Sequence, residues 1–553
     1  MSDSTKSPAV PTMTSGIATL DELFQPYNRA DQPGLVVAIA SHGTTVYRRG
    51  FGLASVELGV ANGPWTRMRI GSTSKHFTCL AALLLAEDGL LDLDADASDV
   101  IPELVVDGKA PTLRQFMNHT SGLRCGLDAG FLSEGMAIRP VGSSLAGQVR
   151  MRDVNFAPGT KFMYNNGAYH LLSLAIARAA DMSFERFISE RILAPLGMID
   201  SLPVRSDLEI HRGMATLHLP QPGGGYRRGI FPSQELLGEG SIVSTVDDML
   251  RWLAHLRGPK KIGNEVTWAQ MIAPTRLSNG VTVPYGYGLM RHDYRGVEVI
   301  HHAGAVIGGA CQMLTVPSHA LDIIIMTNGA GVMPNELAKQ VIDVMLGDAL
   351  PEPREPKPAT ADYQFLIGKR YIGRESGLVI GFGDAGGTFG LSLLNLPPMP
   401  MAGGNGQLRL PFEDVAAGPF LLDCSALAPG MAPPETIEFA DAGVLEPYDL
   451  LTVPDGGLSA VADTLVGCYK APDLDARATI GWEDEHLMMR VYGSFGQTAM
   501  RLEVIGADLL GWQMEAADIP LRGIARIQRD AAGRFERLLI DTTRTRHMAF
   551  TRQ

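Results

Sequence analysis

The sequence predicts a multidomain protein of mixed class: an α/β domain built as an antiparallel sheet flanked by helices, then all-β structure. Three observations carry this. At 553 residues the chain is too long for one hydrophobic core. Before the proline run, helical periodicities are interrupted by strand pairs of hairpin type rather than by regular βαβ alternation. After Pro351-Glu-Pro-Arg-Glu-Pro-Lys-Pro358, a stiff extended linker, the texture changes to short alternating segments with glycine turns. The expected boundaries are 1–350, 351–358 for the linker, 359–455, and 456–553.

In chain order, Ile17, Leu20, Leu23 and Phe24 give residues 15–27 a helical stripe. Gly34 to Ala40, a Ser41-His-Gly turn and Thr44 to Tyr47 read as a β-hairpin. Phe77, Leu80, Ala81, Leu84 and Leu85 mark a helix that Gly89 stops. Residues 90–250 look mostly helical, with Asn118 to Leu123 as a helix exit and Ser244 to Trp252 as a capped helix start. Val297–Ile300 reads as a strand, and Cys311–Val316 and Leu321–Met326 as a hairpin about Pro317-Ser-His319. Pro334 opens a helix through Leu346.

Beyond the linker there is a faint repeat. Phe365-Leu-Ile-Gly368 with Tyr371 resembles Thr464-Leu-Val-Gly467 with Tyr469, a spacing suited to two small β-barrels. A boundary between them falls near Pro454-Asp-Gly-Gly457. Gly381-Phe-Gly-Asp-Ala-Gly386 matches G-x-G-x-x-G, but a strand follows where the dinucleotide fingerprint needs a helix, so it reads as a hairpin turn.

The chemistry centres on Gly71-Ser72-Thr-Ser-Lys75. Residues three apart on a helix are neighbours, so Lys75 lies against Ser72. A serine hydroxyl is a weak nucleophile until a base takes its proton, and a desolvated lysine can do so. Alone, the pattern is also what an ordinary helix start looks like. Tyr164-Asn165-Asn166, after an Ala157-Pro-Gly159 turn, offers a phenol for proton transfer and an amide to hold substrate or Lys75. His301-His302-Ala303-Gly304 reads as a strand end opening a loop. His302 there offers a donor, and small residues let a substrate backbone lie alongside.

Composition narrows the field. A formal net charge of −13 argues against nucleic acid and anionic membrane surfaces as partners. No run of 18 apolar residues suggests a membrane helix, and Met1 to Pro8 lacks a signal-type apolar core. Five scattered cysteines form no C-x-x-C pair, which fits reduced thiols and a cytoplasmic protein. No pattern calls for a metal or cofactor.

S-x-x-K, then Y-x-N, then H-x-G in that order resembles the serine β-lactamase and penicillin-recognising enzyme superfamily. Asn118-His-Thr-Ser-Gly-Leu123, Tyr285-Gly-Tyr-Gly-Leu289 and Gly240-Ser-Ile-Val-Ser-Thr-Val-Asp-Asp-Met249 match it too. With two trailing β-units, the chain is similar to the bacterial D-aminopeptidase family. That resemblance implies a β-lactamase-like catalytic domain followed by two eight-stranded antiparallel barrels. It implies release of N-terminal D-amino acids, such as D-alanine, from short peptides, amides or esters, without a cofactor or metal. It also implies a homodimer and possible inhibition by β-lactams.

By the same resemblance, Ser72 is the nucleophile, Lys75 and Tyr164 share the base role, and His302 assists protonation of the leaving group. Asn166, Gly304 and Met290 face substrate. A third-domain loop brings an Asp-x-Pro acid, Asp518 in Asp518-Ile-Pro520, to the substrate's α-ammonium, with Glu515 as its rival. The chain departs from the family at Met290, where the family has Asn, and at Gly71, where it tends to have Cys. The alternatives are an esterase or D-Ala-D-Ala carboxypeptidase-like hydrolase on the same scaffold and, from another class, a non-catalytic penicillin-binding protein. Deleting residues after 355 is expected to relax selectivity for an unblocked N-terminus.

Overall fold

The computed structural model describes residues 13–352, 361–404, 406–410, 420–515 and 521–553, so most of the proline linker lies outside the described residues. Helix α1 (Met13–Phe24) and the hairpin of β1 (Leu35–Ser41) and β2 (Thr44–Phe51) form where the sequence places them. They join β3 (Met290–Tyr294), β4 (Val297–Val306), β5 (Gly309–Val316) and β6 (Leu321–Thr327) in a six-stranded antiparallel sheet ordered β3-β4-β5-β6-β1-β2. The β5–β6 hairpin turns at Pro317–His319, with Met313 opposite Ile324.

Three further helices serve this sheet: α2 (Lys75–Glu87), α3 (Val246–Arg257) and α4 (Pro334–Leu346). Leu20 and Phe24 of α1 and Val341 and Ile342 of α4 pack with Val37, Ile39 and Ile323 of the sheet. Each such buried side chain contributes roughly 1.5–3 kcal/mol. Thr245 caps α3 by accepting from the Asp248 N–H, as its sequence suggests.

Two readings need revision. The expected one-sided stripe on α2 is instead a helix buried from Lys75 through Leu85. Helix Glu265–Ile272 packs on it, and the Trp252 ring of α3 lies 4.1 Å from that of Phe77, so little of its surface meets water. The expected strand end at His302 is the middle of a strand, because β4 runs on to Val306.

The compact units also differ from the expected boundaries. One comprises Met1–Leu93, Leu172–Pro274 and Tyr285–Arg354; the other comprises Asp94–Leu171, Thr275–Pro284 and Glu355–Gln553. In the second, Leu132 and Met151 from the helical stretch share a core with Met489, Leu510 and Trp512 of the last barrel. Thr498 of that barrel donates to the Leu132 carbonyl at 2.7 Å.

That barrel closes on itself with eight antiparallel strands, from Gly467–Ala471 to Met548–Arg552. The one before it has nine described strands. Met399–Pro400 pairs with Phe389–Leu393, and Ala402–Gly404 pairs with Gln407–Arg409. A single segment broken at Pro400-Met401 therefore joins the two ends of the sheet, and proline, lacking an N–H, is suited to the break. The G-x-G-x-x-G stretch is the hairpin between Val379–Asp384 and Phe389–Leu393.

Candidate active site

In the first unit, Gly71–Ser74 forms a 3-10 turn that runs into α2. Ser72 is therefore one turn ahead of the α-helix, and the Lys75 N–H still bonds to the Ser72 carbonyl. The Lys75 ammonium lies 3.0 Å from Ser72 Oγ and donates to the Glu239 carbonyl at 2.7 Å. Lys75 is fully buried while Ser72 stays partly exposed, so the amine is held away from bulk water and the hydroxyl remains accessible.

Gly71 has φ +53°, and a Cβ there would lie 2.8 Å from the Ala305 carbonyl oxygen and 2.9 Å from its nitrogen. That close approach is the physical reason for glycine where the resembling family tends to carry Cys. Gly304 is tighter still: a Cβ would lie 1.8 Å from the Ile70 carbonyl oxygen. Thr73 donates to the His302 carbonyl at 3.2 Å, completing the seam between the turn and β4. Since β3 pairs only with Val297–His301, Ala303 and Ala305 have no β3 neighbour, and both are exposed.

His302 is buried, with both ring nitrogens engaged. Nδ1 meets the Ala303 carbonyl at 2.5 Å, and Nε2 meets the Tyr285 hydroxyl at 3.2 Å. A carbonyl only accepts, so Nδ1 carries the hydrogen and Nε2 accepts from Tyr285. Burial first, and then the Lys75 charge, push His302 down to about 3, leaving it neutral. The ring expected to donate to a leaving group thus donates from Nδ1 to the Ala303 carbonyl and accepts at Nε2 from Tyr285. Met290 is buried opposite His301 and so shares a sheet face with it, whereas His302 and Gly304 point to the other face.

The second unit holds Tyr164. Its ring lies 4.1 Å from that of His119, which sits in the Asn118–Leu123 loop with φ +60°. His119 Nδ1 accepts the Asn165 N–H at 3.0 Å. Asn165 bonds the Leu123 carbonyl at 2.6 Å and accepts the Ala168 N–H at 3.0 Å, so it starts the helix Asn166–Ala180. The asparagine singled out in the sequence, Asn166, is the partly exposed one; its neighbour is the structural one. The Arg544 guanidinium, from the loop before the last barrel strand, lies over the Tyr164 ring at 5.4 Å.

The structure thus gathers Ser72, Lys75, His302 and Gly304 in one unit and Tyr164 with Asn166 in the other, while Asp518 lies outside the described residues. Sequence reasoning missed the Glu239 carbonyl, His119 and Arg544, and gave Tyr285 no role. Tyr285 and His119 stood inside quoted motifs, so the signal existed. A backbone carbonyl and an arginine hundreds of residues away leave none.

A family model described as "Beta-lactamase" matches residues 20–344. A D-aminopeptidase of Brucella canis is 29% identical over 364 residues, covering 64% of this chain and 66% of the relative. The chain therefore spans about two thirds of the length of the curated relatives it matches. Among solved structures, the octameric penicillin-binding protein homologue of Pyrococcus abyssi has TM-score 0.53 at 20% identity, covering 88% of this chain and 99% of that one. The D-amino acid amidase of Ochrobactrum anthropi SV3, complexed with L-phenylalanine amide, has TM-score 0.52 at 21% identity, covering 61% and 99%. The two structures establish shared fold.

Proposed function

The chain belongs to the beta-lactamase family, and from that premise we propose that it is a D-stereospecific serine hydrolase. It releases N-terminal D-amino acids from short peptides, amides or esters through an acyl-enzyme. The observation that carries this is the buried Lys75 side-chain nitrogen 3.0 Å from the Ser72 hydroxyl. The names of the relatives, a D-aminopeptidase and a D-amino acid amidase, supply the substrate class.

Ser72 Oγ attacks the carbonyl carbon of the N-terminal residue while its single proton goes to the Lys75–Tyr164 pair, which shares the base role and accepts it on whichever member is deprotonated. The Ser72 N–H and the Ala305 N–H, on the strand seam beside Gly71, stabilise the oxyanion. The C–N bond breaks, and the proton passes through Tyr164 to the leaving amine. Water then cleaves the ester, giving the free D-amino acid and restoring Ser72. His302 keeps Tyr285 and the β4 seam in place. Asn166 positions substrate. Asp518 meets the α-ammonium, which an unblocked N-terminus carries at neutral pH.

The test compares D-alanine amide, L-alanine amide and N-acetyl-D-alanine amide with wild type and Ser72→Ala. Turnover of D-alanine amide in preference to the other two, abolished in a folded Ser72→Ala, is the expected result. Preference for the blocked substrate would sink the aminopeptidase reading, and full activity in Ser72→Ala would sink the serine mechanism.

A further inference from the structure

The last barrel delivers one cation to the tyrosine of the proposed mechanism. Arg544 sits in the Thr542–His547 loop between strands Phe535–Asp541 and Met548–Arg552. Its guanidinium carbon is 5.4 Å from the centroid of the Tyr164 ring.

The loop is pinned from several sides. The Cys125 N–H and the Asn155 amide both donate to the Arg544 carbonyl, at 3.3 and 3.0 Å. Thr545 Oγ1 accepts the Cys125 N–H at 3.0 Å and donates to the Cys125 carbonyl at 3.2 Å. The Arg546 N–H donates to Asn155 at 2.8 Å. Behind the guanidinium, the Asp128 carboxylate lies 3.9 Å away, an ion pair that orients Arg544 without a tight contact. A long, flexible cation is thereby fixed at both its backbone and its head.

We propose that Arg544 is a positioning residue that acts through Tyr164, holding the ring and favouring its phenolate form so that it can take the proton of Ser72. A positive charge close to a phenol stabilises the ionised oxygen, and a guanidinium over an aromatic face also fixes the ring. The interaction is reciprocal: burial works against the charge on Arg544, while Asp128, Cys125 and Tyr164 hold it above the ordinary arginine range. Among the described residues, several neighbours of Tyr164 and Arg544 are engaged elsewhere. His119 already uses Nδ1 as an acceptor for Asn165, Phe162 and Tyr169 pack on His119 rather than carry charge, and Asp128 and Cys125 stand behind Arg544. The barrel thus contributes a residue to catalysis independently of the Asp518 loop.

This inference rests on the proposed function for the role of Tyr164, so its test includes a readout that needs no substrate. In the full-length protein, the ultraviolet tyrosinate titration of wild type minus that of Tyr164→Phe isolates Tyr164. The same difference is then taken in the Arg544→Gln and Arg544→Lys backgrounds. The Tyr164 midpoint is expected to rise by about one pH unit in Arg544→Gln and to stay near wild type in Arg544→Lys. On D-alanine amide, kcat should fall about tenfold or more in Arg544→Gln with little change in KM, the rising limb of its pH profile moving to higher pH. Arg544→Lys should recover most of this. An unchanged Tyr164 midpoint in folded Arg544→Gln overturns the proposal whatever the enzyme hydrolyses. A shifted midpoint with unchanged kcat overturns the catalytic part of it. Failure of the substrate preference is read separately, from the three-amide comparison.

Discussion

Gly304→Ala is the sharpest probe of the seam between the Ser72 turn and strand β4. The added Cβ would lie 1.8 Å from the Ile70 carbonyl oxygen, 2.9 Å from its carbon and 3.0 Å from Thr73 Oγ1. Contacts below 3.0 Å are essentially never seen for real Cβ atoms, and the first obstacle is backbone, which cannot rotate away. The strand and the turn must therefore separate by at least about 1.2 Å, and a 1 Å misplacement of a reacting group costs on the order of a hundredfold in rate. The Ser72 and Ala305 N–H groups lie on opposite sides of this seam, so an oxyanion site formed by both would open. The overpacking itself costs about 1–3 kcal/mol. Kinetics on D-alanine amide and a thermal melt should show kcat/KM down roughly a hundredfold or more and a lowered but cooperative transition. A Gly304→Ala enzyme within threefold of wild type would falsify the idea that this seam builds the oxyanion site.

The remaining predictions concern protonation and the Tyr164 loop. His302, pushed down to about 3 by burial and then by Lys75, is neutral in the folded protein but near 6.5 when unfolded. The unfolded chain therefore binds the extra proton between those values. The stabilisation is complete above about pH 6.5 and is lost as pH falls toward about 3. His76 and His301 are likewise held well below their usual range by burial. Melting temperatures of His302→Gln should fall less steeply than wild type across this window, without becoming flat; an identical slope would contradict a neutral His302. Asn165→Ala should destabilise by about 1–2 kcal/mol through loss of a helix cap, seen as a lower melting temperature. Asn166→Ala should leave the melt unchanged and alter kcat or KM, and the reverse pattern would show that their roles are exchanged.

How much of this was legible follows from the range of each interaction. Ser72 and Lys75 are three residues apart, and their contact is a property of helical geometry, so the motif carried it. The β5–β6 hairpin was legible because apolar runs flank a proline turn. The course of β4 through His302 was not. Ala303-Gly304 has the composition of a strand end, and only the approach of Ile70 explains a glycine within a continuing strand. The burial of all sides of α2 was hidden because its second cover comes from Trp252 and Glu265–Ile272, far along the chain. Helices in 94–171 look like any others; nothing in their periodicity says that Leu132 and Met151 complete a barrel core.

This last point changes what a truncation can test. Removing the residues after 355 was expected to free the active site from a selectivity loop and relax the need for an unblocked N-terminus. The structure predicts a different outcome, because Asp94–Leu171 belongs to the same compact unit as the barrels. Truncation would strip Arg124, only 2% exposed, of Asp473 at 2.8 Å and the His547 carbonyl at 3.0 Å. It would retain only Asp153 at 3.1 Å, whose side chain is 63% exposed. The partners of Arg124 on the barrel side and the segments that carry them are lost together. The same cut uncovers Ala129, Leu132 and Met151, and removes the Arg544 loop that backs Tyr164. The truncated chain should therefore melt well below wild type and lose activity on blocked and unblocked amides alike. A truncated protein that melts like wild type and hydrolyses N-acetyl-D-alanine amide would show that the Tyr164 segment stands without the barrels. The clean test of selectivity is instead Asp518→Asn in the full chain, expected to raise KM for D-alanine amide while leaving the melt unchanged.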